Sequence, residues 1–200
     1  MNKTERVFHA LAIKKHATAH EVAPLAGVSA DDAGTILERA ATSGRVAFAG
    51  DKYLLTPLAR VALGSNYWRH FADLRVNEAF VAAYEAFERI NVQLKALITD
   101  WQTVAVGGER IVNDHSDKAH DAAVIDRLGD LHDRADSIFK TLAAHHPRLQ
   151  FYRTHLLAAL EKAEDGAVQW VSDAKIESYH TLWFELHEDL LRIMGRVRDE

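Results

Sequence analysis

The chain has 200 residues, no cysteine, twelve histidines and a formal charge of −5, with 48% hydrophobic and 26% charged residues. This is the composition of a folded, soluble protein of one or two domains. It excludes disulfides, zinc fingers, cysteine-ligated clusters and thiol catalysis, and the acidic total argues against binding nucleic acid through bulk charge. No stretch is long and apolar enough for a transmembrane helix. The apolar run Val7–Ile13 is interrupted by His9 and followed by Lys14 and Lys15. That is too short and wrongly flanked for a signal peptide, so the expected location is cytoplasmic.

Residues 1–65 are expected to form the first domain. A helix is predicted from Thr4 to Lys15 and a second from His20 to Ala26, ending at Gly27, with Pro24 inside it. Ser29 sits where an N-cap belongs, with Asp32 three residues on. The third helix runs to Thr42, with Ala33, Ile36, Leu37 and Ala40 on its inner face. Arg45–Phe48 and Lys52–Leu55, joined through Ala49-Gly50-Asp51, read as a hairpin. Thr56-Pro57 is a helix start. Three helices, a two-stranded wing and a following helix make the pattern of a winged helix-turn-helix.

Residues 66–200 are expected to be entirely helical, so the fold class is mainly α: a winged helix-turn-helix followed by a four-helix bundle-like domain for sensing or dimerisation. Phe80, Tyr84, Phe87, Asn91, Leu94, Ile98 and Trp101 repeat at spacings of 4 and 3. A loop is predicted from Gln102 to Ser116, then helices Asp117–His146, Pro147–Glu164 and Ala174–Val197. Residues 1–65 hold eight Lys/Arg against six Asp/Glu, net +2; the rest hold 16 against 23, net −7.

A winged helix implies DNA binding through the third helix and the wing, with Thr35, Arg39, Arg45 and Lys52 as the contact residues. Against this, the exposed face of that helix also carries Asp31, Asp32 and Glu38. The alternative is a module that does not bind DNA and contacts another protein.

In the last helix, His180, Trp183, Phe184, His187, Leu191 and Met194 fall within about 60° of one direction, so both histidines are expected to point inward. Glu185 and Asp189 lie opposite and are expected to be solvated; Glu188 borders the inner face. Asn91, Trp101, Asn113, Asp117, His180, Trp183 and His187 are then candidates for a pocket binding a small polar or anionic ligand. A satisfied polar core fits the same pattern. Asn113, Asp114, His115 and Asp117 are candidate partners for the buried imidazoles.

Glu177-x-x-His180 and Asp117-x-x-His120 have the spacing of dimetal-bundle ligands, but chance gives about as many pairs, and no metal or cofactor is expected. No phosphate-binding loop, zincin motif or nucleophile elbow occurs, so an enzyme is not expected.

Four segments carry a family resemblance: Ala10-Leu11-Ala12-Ile13-Lys14-Lys15, Leu55-Thr56-Pro57-Leu58-Ala59-Arg60, Val112-Asn113-Asp114-His115-Ser116-Asp117 and SYHTLWFELHEDLL from Ser178 to Leu191. Through them the chain resembles the C-terminal region of short bacterial pyruvate, phosphate dikinase-like (PEP-utilising) proteins and related stand-alone winged-helix regulators. The nucleotide-binding domain and the Thr-Ser-His loop of that family are missing, so the resemblance implies no dikinase activity. It implies an accessory or regulatory role near phosphoenolpyruvate or pyruvate use. The two expectations are a ligand-responsive transcriptional regulator, working as a homodimer or with a protein partner, and a non-DNA-binding accessory module of such a system.

Overall fold

A computed structural model describes residues 1–197. The chain is mainly helical, with ten α-helices, one 3-10 turn and five short strands among the described residues. No helix among them is long and apolar enough to cross a membrane. The chain divides into two compact units, one of Met1–Asn77 with the residues from His187 onward, the other of Glu78–Leu186. The division expected after residue 65 falls within a helix, and the closing segment groups with the N-terminal residues.

The first unit begins with α1 (Lys3–Lys14), β1 (His16–Ala17), α2 (Ala19–Ala26) and α3 (Ala30–Thr42), then β2 (Val46–Ala49), β3 (Lys52–Leu55), α4 (Pro57–His70) and α5 (Ala72–Val76). Local chemistry sets these boundaries. Asn2 and Glu5 cap α1 reciprocally, as Thr18 and Glu21 cap α2. Gly27 ends α2 in the left-handed region, where a side chain would be strained. Ser29 and Thr56 accept from the amides of Asp32 and Ala59 at the starts of α3 and α4. The two-residue strand β1 was not expected. It pairs antiparallel with β3, giving a three-stranded sheet of order β1-β3-β2. Val7, Ala10, Leu11 and Ile13 of α1, Val22 and Leu25 of α2, and Ala33 and Leu37 of α3 form the core, each at most 1% exposed. Burial of a Val, Leu or Ile side chain is worth roughly 1.5–3 kcal/mol.

The second unit holds α6 (Glu78–Gln102), β4 (Thr103–Val106), β5 (Glu109–Val112), α7 (Lys118–His145), the 3-10 turn Pro147–Leu149, α8 (Gln150–Glu164) and α9 (Gln169–Ser172), and the start of α10 (Tyr179–Met194). All seven residues of the predicted α6 stripe are buried. The expectation of an entirely helical region is corrected by β4 and β5, an antiparallel hairpin where a loop was predicted. Gly107 and Gly108 make its two-residue turn, both with positive φ (61° and 87°), as a tight hairpin of the right twist requires. α10 starts later than Ala174, because Ser178 caps it: its hydroxyl and carbonyl accept from the amides of Thr181 and Leu182.

α7 and α8 are tied by Asp136, whose carboxylate accepts from Arg153 Nε (2.7 Å) and pairs with Lys140 Nζ (2.8 Å). The Arg153 guanidinium, with Lys140, lowers its pKa to about 2. A depressed carboxyl stabilises the fold fully above the ordinary value of 3.8 and loses that contribution as pH falls through about 2. Solvent screening limits it to on the order of 1 kcal/mol. Asp136→Asn is therefore expected to lower stability at pH 7 by about that amount and to show only a small fraction of that deficit at pH 2, read by urea titration at each pH. An equal deficit at both pH values would refute the ion-pair account.

Candidate functional site

α3 is anchored by its inner face and turns Asp31, Thr35, Glu38, Arg39 and Thr42 outward, all exposed. Asp32 is half-buried, and its pairing with Lys3 (Nζ–Oδ2 2.9 Å) holds its carboxyl below the usual range. One of the three carboxylates on this helix thus has a local counter-charge. Arg45, at the foot of the β2–β3 hairpin, is exposed; its Nε donates to Ser43 Oγ (3.0 Å) and its guanidinium lies 5.5 Å from the Phe8 ring centre. Lys52 instead reaches Glu21 of α2 (3.1 Å). Thr35, Arg39 and Arg45 therefore stand on the exposed surface, while Lys52 is engaged within the unit. The hairpin exposes Phe48 (57%) beside Tyr53.

The seven residues proposed for a ligand pocket do not form one group. Asn91 and Trp183 meet in the core of the second unit, where Trp183 Nε1 donates to Asn91 Oδ1 (3.1 Å). Trp101, ten residues or about 15 Å further along α6, joins a different cluster. There Asn113 Nδ2 donates to the Trp101 carbonyl (2.9 Å) and to Asp121 Oδ1 (3.1 Å). His115, held at φ 60°, places Nδ1 3.0 Å from the same Asp121 oxygen and its ring 4.5 Å from that of Trp101. Asp121 Oδ2 is buried without a hydrogen-bond partner. Asp117 caps α7 through the amides of Ala119 and His120. His180 is half-buried, and burial lowers its pKa. His187 is buried and belongs to the first unit. An open cleft of about 240 Å³ between α6 and α7, lined by Gln93, Leu97, Arg127, Asp130, Leu131 and Arg134, includes none of the seven. Among the described residues no three side chains of metal-ligand type converge; His120 Nε2 bonds the Asp100 carbonyl.

The expectation that Glu185 and Asp189 are solvated is corrected: they are 7% and 0% exposed. A wheel with one inner face does not describe α10, whose buried residues face nearly all round from Leu186 to Ile193. Asp189 Oδ1 lies 2.8 Å from His9 Nε2, and His9 Nδ1 lies 2.9 Å from the Tyr67 hydroxyl. These groups, from α10, α1 and α4, form a buried polar chain inside the first unit. It was missed, although His9 interrupting an apolar run was its signal. The C-terminal turn of α10 is fastened in the same unit by Arg75, which donates to the carbonyls of Ile193 (2.6 Å) and Arg192 (3.2 Å). A second missed pair is His132 and Tyr179, 3.1 Å apart in the second unit; burial lowers the pKa of the imidazole and raises that of the phenol, so both stay neutral.

In comparisons with known proteins, no family model, no curated protein and no solved structure matches this chain.

Proposed function

We propose that residues 1–70 form a winged helix-turn-helix that binds duplex DNA, and that the protein is a ligand-responsive transcriptional regulator. The observation that carries this is the order α1-β1-α2-α3-β2-β3-α4 with a β1-β3-β2 sheet and the outer face of α3 left exposed. In such an arrangement α3 enters the major groove and the hairpin lies along the backbone. Arg39 and Arg45 supply the phosphate contacts and Thr35 a polar contact to a base edge. Lys3 offsets the charge of Asp32 at the start of the same helix. For sensing, the Trp101–Asn113–His115–Asp121 cluster is the seat we favour, because Asp121 Oδ2 is buried there without a partner and offers an acceptor to a small polar donor that opens the cluster.

Fluorescence anisotropy with DNA fragments, including the protein's own promoter region, tests this across a salt series. Specific binding is expected well below 10⁻⁶ M at physiological salt, roughly the non-specific limit. Arg39→Ala and Arg45→Ala should each weaken binding and reduce the salt slope by about one. The same titration with a panel of small polar metabolites reads sensing as a shift in DNA affinity. If no fragment binds better than about 10⁻⁶ M, the regulator reading fails and the protein-contact module takes its place.

A further inference from the structure

We propose, resting on the reading of the Trp101–Asn113–His115–Asp121 cluster as the sensing seat, that its ligand is a small planar cation of the guanidinium or amidinium class, and that the His115 imidazole is a tethered stand-in which this cation displaces.

The occupant already in place defines what the seat accepts. The His115 ring lies against Trp101, with centroids 4.5 Å apart and planes at 37°. Its Nδ1 is 3.0 Å from Asp121 Oδ1. A carboxylate oxygen only accepts, so Nδ1 is the donor. The seat therefore offers an aromatic face and a buried carboxylate to a flat N–H donor. The imidazole fills it by half. Asn113 Nδ2 (3.1 Å) and His115 Nδ1 both go to Oδ1, whereas Oδ2 is buried with no hydrogen-bond partner. A buried acceptor left unpaired costs free energy, and a single imidazole nitrogen cannot meet both oxygens. A guanidinium or amidinium presents two parallel N–H groups that match a carboxylate, and its plane stacks on an aromatic ring. In place of His115 it donates to Oδ1 and Oδ2 together and keeps the Trp101 face.

The stand-in is built to leave. The side chain of Asp121 is 3% exposed and that of His115 34%, so the imidazole is the side of the pair that meets solvent. His115 is held at φ 60°, in a segment between β5 and α7 that has no regular secondary structure. A non-glycine residue in that region is strained, and swinging the ring out releases the strain. The groups left behind are fixed without it. Asn113 Nδ2 also donates to the Trp101 carbonyl (2.9 Å), and Asp121 stands in the first turn of α7. Charge selects a cation. Asp114 and Asp117 flank His115 in the chain, and residues 78–186 hold 18 Asp/Glu against 11 Lys/Arg, net −7. Lys118 is turned onto the His115 carbonyl (2.9 Å).

Methylguanidine is the probe. Methylammonium, a cation without the fork, and methylurea, the same shape without the charge, are the controls. Each is titrated to about 20 mM into the full chain and followed by NMR. Methylguanidine is expected to bind with a dissociation constant on the order of 1 mM, within what so small a molecule can reach, and at least about tenfold tighter than either control. The ring-proton signals of His115 should move to those of a solvent-exposed imidazole as the ring leaves Trp101. His115→Gly removes the stand-in and puts glycine where φ is positive, so the melting temperature should hold and methylguanidine should bind about tenfold tighter. Asp121→Asn should abolish binding. No binding to wild type or to His115→Gly, a control that binds equally well, His115 signals unmoved at saturation, or binding retained in Asp121→Asn would each overturn the proposal. The titration uses no DNA, so a failure of DNA binding leaves its result intact. A DNA affinity unchanged by bound methylguanidine would count against sensing and not against the seat.

Discussion

Asp189→Leu is expected to destabilise the first unit by about 3–5 kcal/mol, because it strips one partner from a buried polar pair. Both members are closed to water: His9 is 1% exposed and Asp189 0%. Water cannot replace the lost carboxylate, so His9 Nε2 keeps the desolvation cost without the hydrogen bond. For a chain of this size the melting temperature should fall by roughly 6–20 °C. His9→Leu alone leaves the Tyr67 hydroxyl and the Asp189 carboxylate without the imidazole and should be similarly costly. The pair distinguishes itself by coupling. The double variant should cost clearly less than the sum of the two single losses, since removing both members leaves neither facing an apolar replacement across the pair. Strict additivity of the two single losses in denaturant titrations would show that the chain His9–Asp189 is not an energetic unit.

The second large effect is expected at Trp183. Its ring stacks on Phe87 (centroids 4.9 Å, planes 22° apart), meets Phe139 edge-on at 5.7 Å and lies 6.0 Å from Tyr179. Trp183→Ala removes this packing and opens a cavity at a cost of about 3–5 kcal/mol. It also leaves Asn91, 5% exposed, without the indole N–H, which adds on the order of 1 kcal/mol or more. Trp183→Phe keeps most of the contact area and loses the hydrogen bond, so it should cost only about 1–2 kcal/mol. Urea titration followed by circular dichroism separates the two. Equal losses for both variants would place the energy in the hydrogen bond rather than in the packing.

Much of the local architecture was legible because it is written in neighbouring residues. Ser29, Thr56-Pro57 and Gly27 mark helix ends through atoms one to three residues away, and the Phe80–Trp101 stripe needs only the helical period. The β4–β5 hairpin was also locally written, in β-branched residues on both sides of Gly107-Gly108, but its strands expose most of their side chains and show no alternation of burial. β1 is two residues long and exists only because β3 offers it an edge. The candidate sites were less legible for a different reason. The exposure of Thr35, Arg39 and Arg45 follows from the α3 wheel and the hairpin, whereas the engagement of Lys52 by Glu21 and of Asp32 by Lys3 joins residues about 30 apart. His9 and Asp189 are 180 apart, and no periodicity links them.

That last separation bears on how the protein is made. A ribosome adds about 5–20 residues per second, so His9 waits on the order of 10–40 s for its carboxylate to be synthesised. Until residues 187–194 emerge, the N-terminal unit lacks the strut that Arg75 and His9 grip. Its helices and sheet can form early, but the unit stays unlatched until that segment has been made. Through that interval the nascent unit exposes apolar surface that the finished one covers, and the span is one in which a chaperone has something to hold.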